Sequence, residues 1–302
     1  MENIKAKLEC SVNNVLGEGP IWDSRTNCLF WVDILGNKIY RYELLTKNIS
    51  SIEVQSYPST ICLSNRSSLI ITALDCIIEI QIKAFDSEEM QSEIIYNKPH
   101  AFLGFNEKDG LTRRFNDGKV DANGRLWLGT MAILQEKGAG QAGLYSLDLS
   151  NEGSELKCQI DRRTISNGLC WTDDNKTFYY IDTPTLSVVK YDFDVHNGTI
   201  SNKKVCIATS EADGYPDGMT IDEEGMLWVA FWQGSKIVRY DPASGSPLLT
   251  VNLPVKNVTC ATFGGENLKT LYITTAKDDQ GNGGDLYSIE LDIKGRESYR
   301  TL

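Results

Sequence analysis

The chain has 302 residues, 41% of them hydrophobic and 24% charged, with 25 glycines. That is the make-up of a globular protein, not of a disordered, collagenous or membrane-embedded one. Thirty Lys and Arg against 41 Asp and Glu give a net charge of −11, so the average surface repels phosphate backbones and anionic headgroups, which argues against nucleic acid and membrane as partners.

The first ten residues alternate in charge without an apolar run, and no stretch approaches the roughly 18 apolar residues of a spanning helix. No export signal is read there, and the expected location is the cytoplasm. Cys10, Cys28, Cys62, Cys76, Cys158, Cys170, Cys206 and Cys260 lie far apart with no C-x-x-C pair. In a large chain without an export signal they are expected as free thiols, mostly buried.

Along the chain, strand-like apolar segments recur after turns rich in Asp, Asn or Gly. They are Leu29-Phe-Trp-Val32, Leu69-Ile-Ile-Thr72, Leu126-Trp-Leu-Gly129, Phe178-Tyr-Tyr-Ile181, Leu227-Trp-Val-Ala230 and Leu271-Tyr-Ile-Thr274. Their spacing of 40 to 57 residues is about the period of four-stranded propeller blades. Most copies continue into an alternating strand, such as Lys38-Ile-Tyr-Arg-Tyr42 or Lys236-Ile-Val-Arg-Tyr240, and no segment holds a helical period for more than two turns. The reading is all-β, a six-bladed β-propeller with a central metal site, formed as one domain over 1–302. Cys76 to Ile82 is too uniformly apolar to place, and the N-terminal strand near Lys7 to Val12, which has no copy of its own, is expected to complete the last blade.

Ten or eleven residues before each apolar segment, four copies place a polar residue: Glu18, Asn116, Asn167 and Asp217. Equal offsets in rotationally related blades bring these side chains to one end of the axis. Ser59 or Thr60 and Cys260 or Ala261 occupy the slot in the other two copies, and their small size is expected to leave room for a ligand. Asn, Asp and Gly are also ordinary turn residues, which is the plain explanation for any one of these positions. Glu18, between two glycines, resists it. Two carboxylates and side-chain amides aimed at one point repel unless a cation lies between them, and an oxygen-only set suits Ca²⁺, Mg²⁺ or Mn²⁺ better than zinc.

The segments Gly17-Glu-Gly-Pro-Ile-Trp-Asp23, Arg114-Phe-Asn-Asp-Gly-Lys-Val-Asp121 with Gly129-Thr-Met131, Ser166-Asn-Gly-Leu169 and Tyr215-Pro-Asp-Gly-Met-Thr-Ile-Asp222 resemble the signatures of the regucalcin, senescence-marker and gluconolactonase family, in the family's order. The resemblance implies a propeller that hydrolyses sugar lactones with one divalent cation, Ca²⁺ first and Mn²⁺, Mg²⁺ or Zn²⁺ as alternatives. It implies that Glu18, Asn167 and Asp217 hold the metal and that Arg114 and Asn116 contact the substrate. Vertebrate members read Gly-Thr-Met-Ala-Glu-Glu, the second Glu binding substrate hydroxyls, whereas Gly129-Thr-Met-Ala-Ile-Leu134 places leucine there, with Gln135 or Glu136 as substitutes only if the loop shifts. Leucine would suit a more apolar lactone or ester, and the Gly-Thr-Met-Ala-Ile stretch resembles the luciferin-regenerating branch of the same family.

The mechanism expected from this is Lewis-acid hydrolysis with Asp217 as general base and Arg114 and Asn116 holding the substrate or its developing oxyanion. A calcium-binding regulatory protein without turnover and a scaffold for protein partners are the alternatives. A histidine-based mechanism is not expected, because His100 and His196 fall outside the ring slots and no G-x-S-x-G elbow or P-loop is present. Asp33 and Asp182 are read as blade-to-blade hydrogen-bonding residues, and Tyr215 and Trp232 as rim residues for a ring-shaped ligand.

Overall fold

The computed structural model describes residues 2–86, 92–97, 103–151 and 153–301. Among them there is no α-helix, only strands and four short 3₁₀ turns, and no helix is long and apolar enough to cross a membrane. The strands form six sheets. Sheet I is Gly17–Asp23, Cys28–Asp33, Lys38–Glu43 and Ile49–Glu53, and sheet II is Ile61–Ser64, Ser68–Thr72, Ile77–Gln81 and Ser92–Tyr96. Sheet III is Leu111–Val120, Leu126–Ala132, Ala142–Leu147 and Lys157–Arg163, with the short Gly104–Asn106 on its inner edge. Sheet IV is Ser166–Trp171, Thr177–Asp182, Ser187–Asp194 and Thr199–Ala208. Sheet V is Tyr215–Ile221, Leu227–Trp232, Lys236–Tyr240 and Pro247–Asn252, with Glu2–Lys5 running parallel to Pro247–Asn252 on its outer edge. Sheet VI takes Asn257–Gly264, Thr270–Ala276 and Leu286–Glu290 from the end of the chain and its outer strand, Lys7–Cys10, from the start. The unplaced segment after Cys76 is the third strand of sheet II.

Each recurrent apolar segment is the second strand of its sheet, covered on both faces, which is why it reads as an unbroken apolar run. Successive side chains point to opposite faces. Phe30 and Val32 therefore pack on Leu63, Leu69 and Ile71 of sheet II, while Leu29 and Trp31 pack with Tyr272 and Leu286 of sheet VI. The same division repeats around the molecule: sheets II and III, III and IV, IV and V, and V and VI each share a core, and the packing order returns from VI to I. The first strands of the six sheets accordingly neighbour one another in cyclic order.

The two ends of this arrangement differ. At one, the segment 293–301 crosses beneath the inner strands: Arg296 donates to the Trp171 carbonyl at 3.1 Å and pairs with Asp173 at 2.6 Å, and Tyr299 donates to Asn175. Arg300–Thr301 then runs parallel to Ile61–Ser64, with Arg300 paired to Asp23. A cavity of about 500 Å³ lies between this segment and the inner strands. The other end carries the predicted site.

The eight cysteines form no disulfide. Cys28, Cys62, Cys170 and Cys260 are buried, whereas Cys158 is exposed and the other three are half-buried, so burial is less general than the apolar context of these residues suggested.

Candidate active site

Five inner strands break register at the same level: between Glu18 and Ile21, Phe115 and Gly118, Ser166 and Leu169, Pro216 and Met219, and Val258 and Cys260. A bulge frees residues from the hydrogen-bonded ladder and re-aims their side chains. The freed pairs in sheets IV and V are Asn167-Gly168 and Asp217-Gly218. Their glycines are required by close approach: a Cβ at 168 would stand 2.7 Å from the Asp217 carbonyl oxygen, and one at 218 would run into Cys260 Sγ. The polar-Gly doublets thus draw neighbouring inner strands together while turning the polar side chains toward one point.

Glu18, Arg114, Asn116, Asn167 and Asp217 all line a single cavity of about 330 Å³, and each is less than a tenth exposed. Arg114 Nη1 donates to Asn116 Oδ1 and to the Phe115 carbonyl, both at 2.8 Å. Asn116 Nδ2 donates to the Ser166 carbonyl at 3.0 Å and to Asn167 Oδ1 at 3.3 Å, and Asn167 Nδ2 donates to Thr183 Oγ1 at 2.9 Å. Thr183 in turn donates to the Pro216 carbonyl at 2.8 Å. One chain of hydrogen bonds therefore links sheets III, IV and V and holds Arg114, Asn116 and Asn167 in fixed orientations. Glu18 Oε2 accepts from the Gly19 amide at 3.0 Å.

Burial pushes both acids well above the usual carboxylate range; the Asp217 and Asp117 charges add to this at Glu18, and the Asp117 charge adds to it at Asp217. Burial also pushes the Arg114 guanidinium down to about 10, against the opposing pull of Glu18, Tyr57 and Asp217. Among the described residues no basic side chain forms an ion pair with Glu18 or Asp217, and no three His, Cys, Asp or Glu side chains cluster at metal-binding distance. A cation here would be held by two carboxylates and the Asn167 amide oxygen, all hard oxygen donors with desolvated charge to offset, and this set fits a hard divalent ion.

Several expectations are revised. Leu134 is 46% exposed and does not line the cavity, whereas Gln135, in the turn Gln135–Lys137, does. The leucine faces outward because the 3₁₀ turn begins one residue later. Ser59, Thr60 and Cys260 do not open space either: Thr60 Oγ1 donates to the Asn116 carbonyl at 2.8 Å, Ser59 lies 3.5 Å from Arg114, and Cys260 packs against Gly218. Asp182 pairs with Arg163 of sheet III at 3.6 Å, a contact between sheets, whereas Asp33 acts at the entry to its own sheet. Asp33 accepts from the amides of Val15 and Leu16, and Asp182 from those of Thr164 and Ile165, so each pins the loop entering the inner strand. Tyr215 and Trp232 are paired across sheet V and line the cavity. His196 is exposed in a hairpin turn, and His100 lies outside the described residues. Asp117 stands beside Asn116 in the same motif, and its signal in the sequence is the replacement of the polar-Gly doublet of sheets IV and V by Asn116-Asp117-Gly118.

The family described as SMP-30/Gluconolactonase/LRE-like region matches residues 16–277. The chain is 38% identical over 298 residues to the Bacillus subtilis protein YvrE, which carries a provisional sugar lactone lactonase name, covering 96% of each chain. It is 35% identical over 314 residues to regucalcin of Pongo abelii, covering 99% of each. Its fold superposes on the solved structure of luciferin-regenerating enzyme with a TM-score of 0.85 at 33% identity, covering 95% of each chain. The chain belongs to the SMP-30/gluconolactonase/LRE-like family.

Proposed function

We propose that this protein is a divalent-metal-dependent hydrolase of a lactone or related ester, working at the axis of a six-bladed propeller that spans 1–302 as one domain. The observation that carries this reading is the convergence of Glu18, Asn167 and Asp217 with Arg114 and Asn116 in one cavity. Glu18, Asn167 and Asp217 would hold the cation, Ca²⁺ before Mn²⁺, Mg²⁺ or Zn²⁺. When bound, it supplies Lewis acidity toward the substrate carbonyl and the attacking water.

The chain's own residues do the rest. Asp217, which lines the same cavity as Arg114 and Asn116, accepts the proton of the attacking water as general base. Water oxygen bonds to the carbonyl carbon, the ring or ester oxygen leaves, and the proton taken by Asp217 returns to it. Arg114 spends one nitrogen on Asn116 and Phe115, which fixes the plane of the guanidinium and leaves its remaining N–H groups for the substrate oxygen that gains charge. Asn116 is pinned on both its oxygen and its nitrogen, so its part is to orient Arg114 and Asn167.

Leu16, Met131, Ile165, Pro184, Tyr215 and Trp232 give the cavity an apolar wall, which favours a substrate with an apolar face, as in the luciferin-regenerating branch. Gln135 supplies an amide on the same wall, so a hydroxylated lactone retains a hydrogen-bonding partner. The partner proposed is a small molecule in the cytoplasm, since a chain of net charge −11 repels phosphate backbones and anionic headgroups.

The test is an assay of chelator-treated protein on gluconolactone and on aryl esters, with and without added Ca²⁺, Mn²⁺, Mg²⁺ and Zn²⁺. Cation-dependent turnover of either class supports the reading; calcium binding without turnover of any of these substrates favours a calcium-binding protein that is not an enzyme.

A further inference from the structure

Aligned on their bulges, the inner strands of sheets I, IV and V carry Pro20, Gly168 and Gly218 at the second freed position. Sheet III carries Asp117 there. Asn116 lines the candidate active site while Asp117 lines the 500 Å³ cavity beneath it, so the two neighbours mark the boundary between the cavities. Asp117 is only 8% exposed. Its Oδ1 accepts from the Gly118 amide at 2.7 Å, and its Oδ2 is buried with no hydrogen-bond partner.

A buried carboxylate without a counter-charge is costly, and such groups persist where a positive charge offsets them. Lys119 is the adjacent base, but its Nζ donates to the Met219 carbonyl at 2.6 Å, and among the described residues it forms no ion pair with Asp117. Burial raises the proton affinity of Asp117 against the pull of Lys119 and the Gly118 amide, and both Glu18 and Asp217 feel its charge; Lys294 and Arg296, which line the same cavity, are paired with Glu223 and Asp173.

We propose that Asp117 is a third carboxylate of the cation site, one that does not coordinate but lies beneath Glu18 and Asp217 and strengthens cation binding by its charge, with Lys119 tempering it. This rests on Glu18, Asn167 and Asp217 being the ligands. It explains why sheet III departs from the glycine used in sheets IV and V, and it makes affinity depend on a residue outside the ligand set.

Calorimetric titration of the chelator-treated full chain with Ca²⁺ alone tests it. Asp117→Asn keeps an acceptor for the Gly118 amide and removes the charge; it should weaken binding on the order of tenfold, the effect of a unit charge acting through protein. Lys119→Met should strengthen binding, and the double variant should return close to wild type. Asp117→Asn within twofold of wild type, or weaker binding by Lys119→Met, overturns the proposal. If Asp117→Asn fails to fold, as judged by near-ultraviolet circular dichroism, Lys119→Met still decides, because a gain in affinity does not arise from damaged structure. Asp217→Ala separates the two levels: wild-type binding in that variant removes the ligand assignment itself, whereas lost binding there with unchanged binding in Asp117→Asn removes only the role of Asp117.

Discussion

Gly168 lies against the backbone of Asp217, so close that a Cβ at 168 would meet the Asp217 carbonyl oxygen and the Met219 amide nitrogen, each at 2.7 Å. Two inner strands are held at this distance by the absence of a side chain, and the position of the Asp217 carboxylate relative to Asn167 depends on it. Gly168→Ala would force the strands apart or strain them, and overpacking of this kind costs about 1–3 kcal/mol. Denaturant unfolding should show that loss, together with weaker cation binding, even though residue 168 has no ligand atom. Unchanged stability would mean that the inner strands yield more easily than their contacts imply.

Removing Asp217 should separate function from folding. Asp217→Ala is expected to abolish cation-dependent hydrolysis while the metal-free protein melts no lower than wild type, because the cores lie between sheets and the substitution removes a buried, repelling charge. Thermal melts with and without Ca²⁺ check both parts; a sharply lower melting temperature in the metal-free variant would show a structural role.

The metal-free protein should lose stability as pH rises. Glu18 and Asp217 have proton affinities above the ordinary carboxylate value when folded, so the folded state binds more protons than the unfolded one, and unfolding free energy falls with increasing pH. The loss begins above the ordinary carboxylate range and is complete once pH exceeds the raised values. Glu18→Gln should flatten this slope in chelator-treated protein. A slope that the substitution leaves unaltered would place the responsible groups elsewhere.

Substrate selectivity should follow Gln135 and not Leu134. Gln135→Leu removes the amide from the cavity wall and should lower kcat/KM for a hydroxylated lactone relative to an apolar ester about tenfold, the effect of roughly 1–2 kcal/mol for an unpaired hydroxyl. Leu134→Glu, at an outward-facing position, should leave that ratio within twofold. The opposite pattern would mean that the turn rearranges when substrate binds.

The repeat of doubly apolar strands was legible in the linear sequence, because a strand covered on both faces has to be apolar at every position and a recurring unit shows as a recurring pattern. Asn116, Asn167 and Asp217 were legible for the same reason, since they take the same place in equivalent strands, whereas Glu18 stands one residue before its bulge, paired with Val32, and reaches the same cavity from there. What the chain could not show in one dimension was which way each side chain turns. Leu134 and Gln135 differ by a single step at the start of a 3₁₀ turn, and that step decides which of them meets the cavity. Asp33 and Asp182 look alike as candidates for contacts between sheets, yet Asp182 pairs with Arg163 of the neighbouring sheet while Asp33 closes on the amides of its own entry loop. Asp117 follows Asn116 directly, and only the bulge sends the first toward one cavity and the second toward the other. Periodicity determines the strands and the level of the polar ring, whereas the direction of each side chain depends on local breaks in register and on close approaches such as Gly168 to Asp217, which exist only once the sheets have packed.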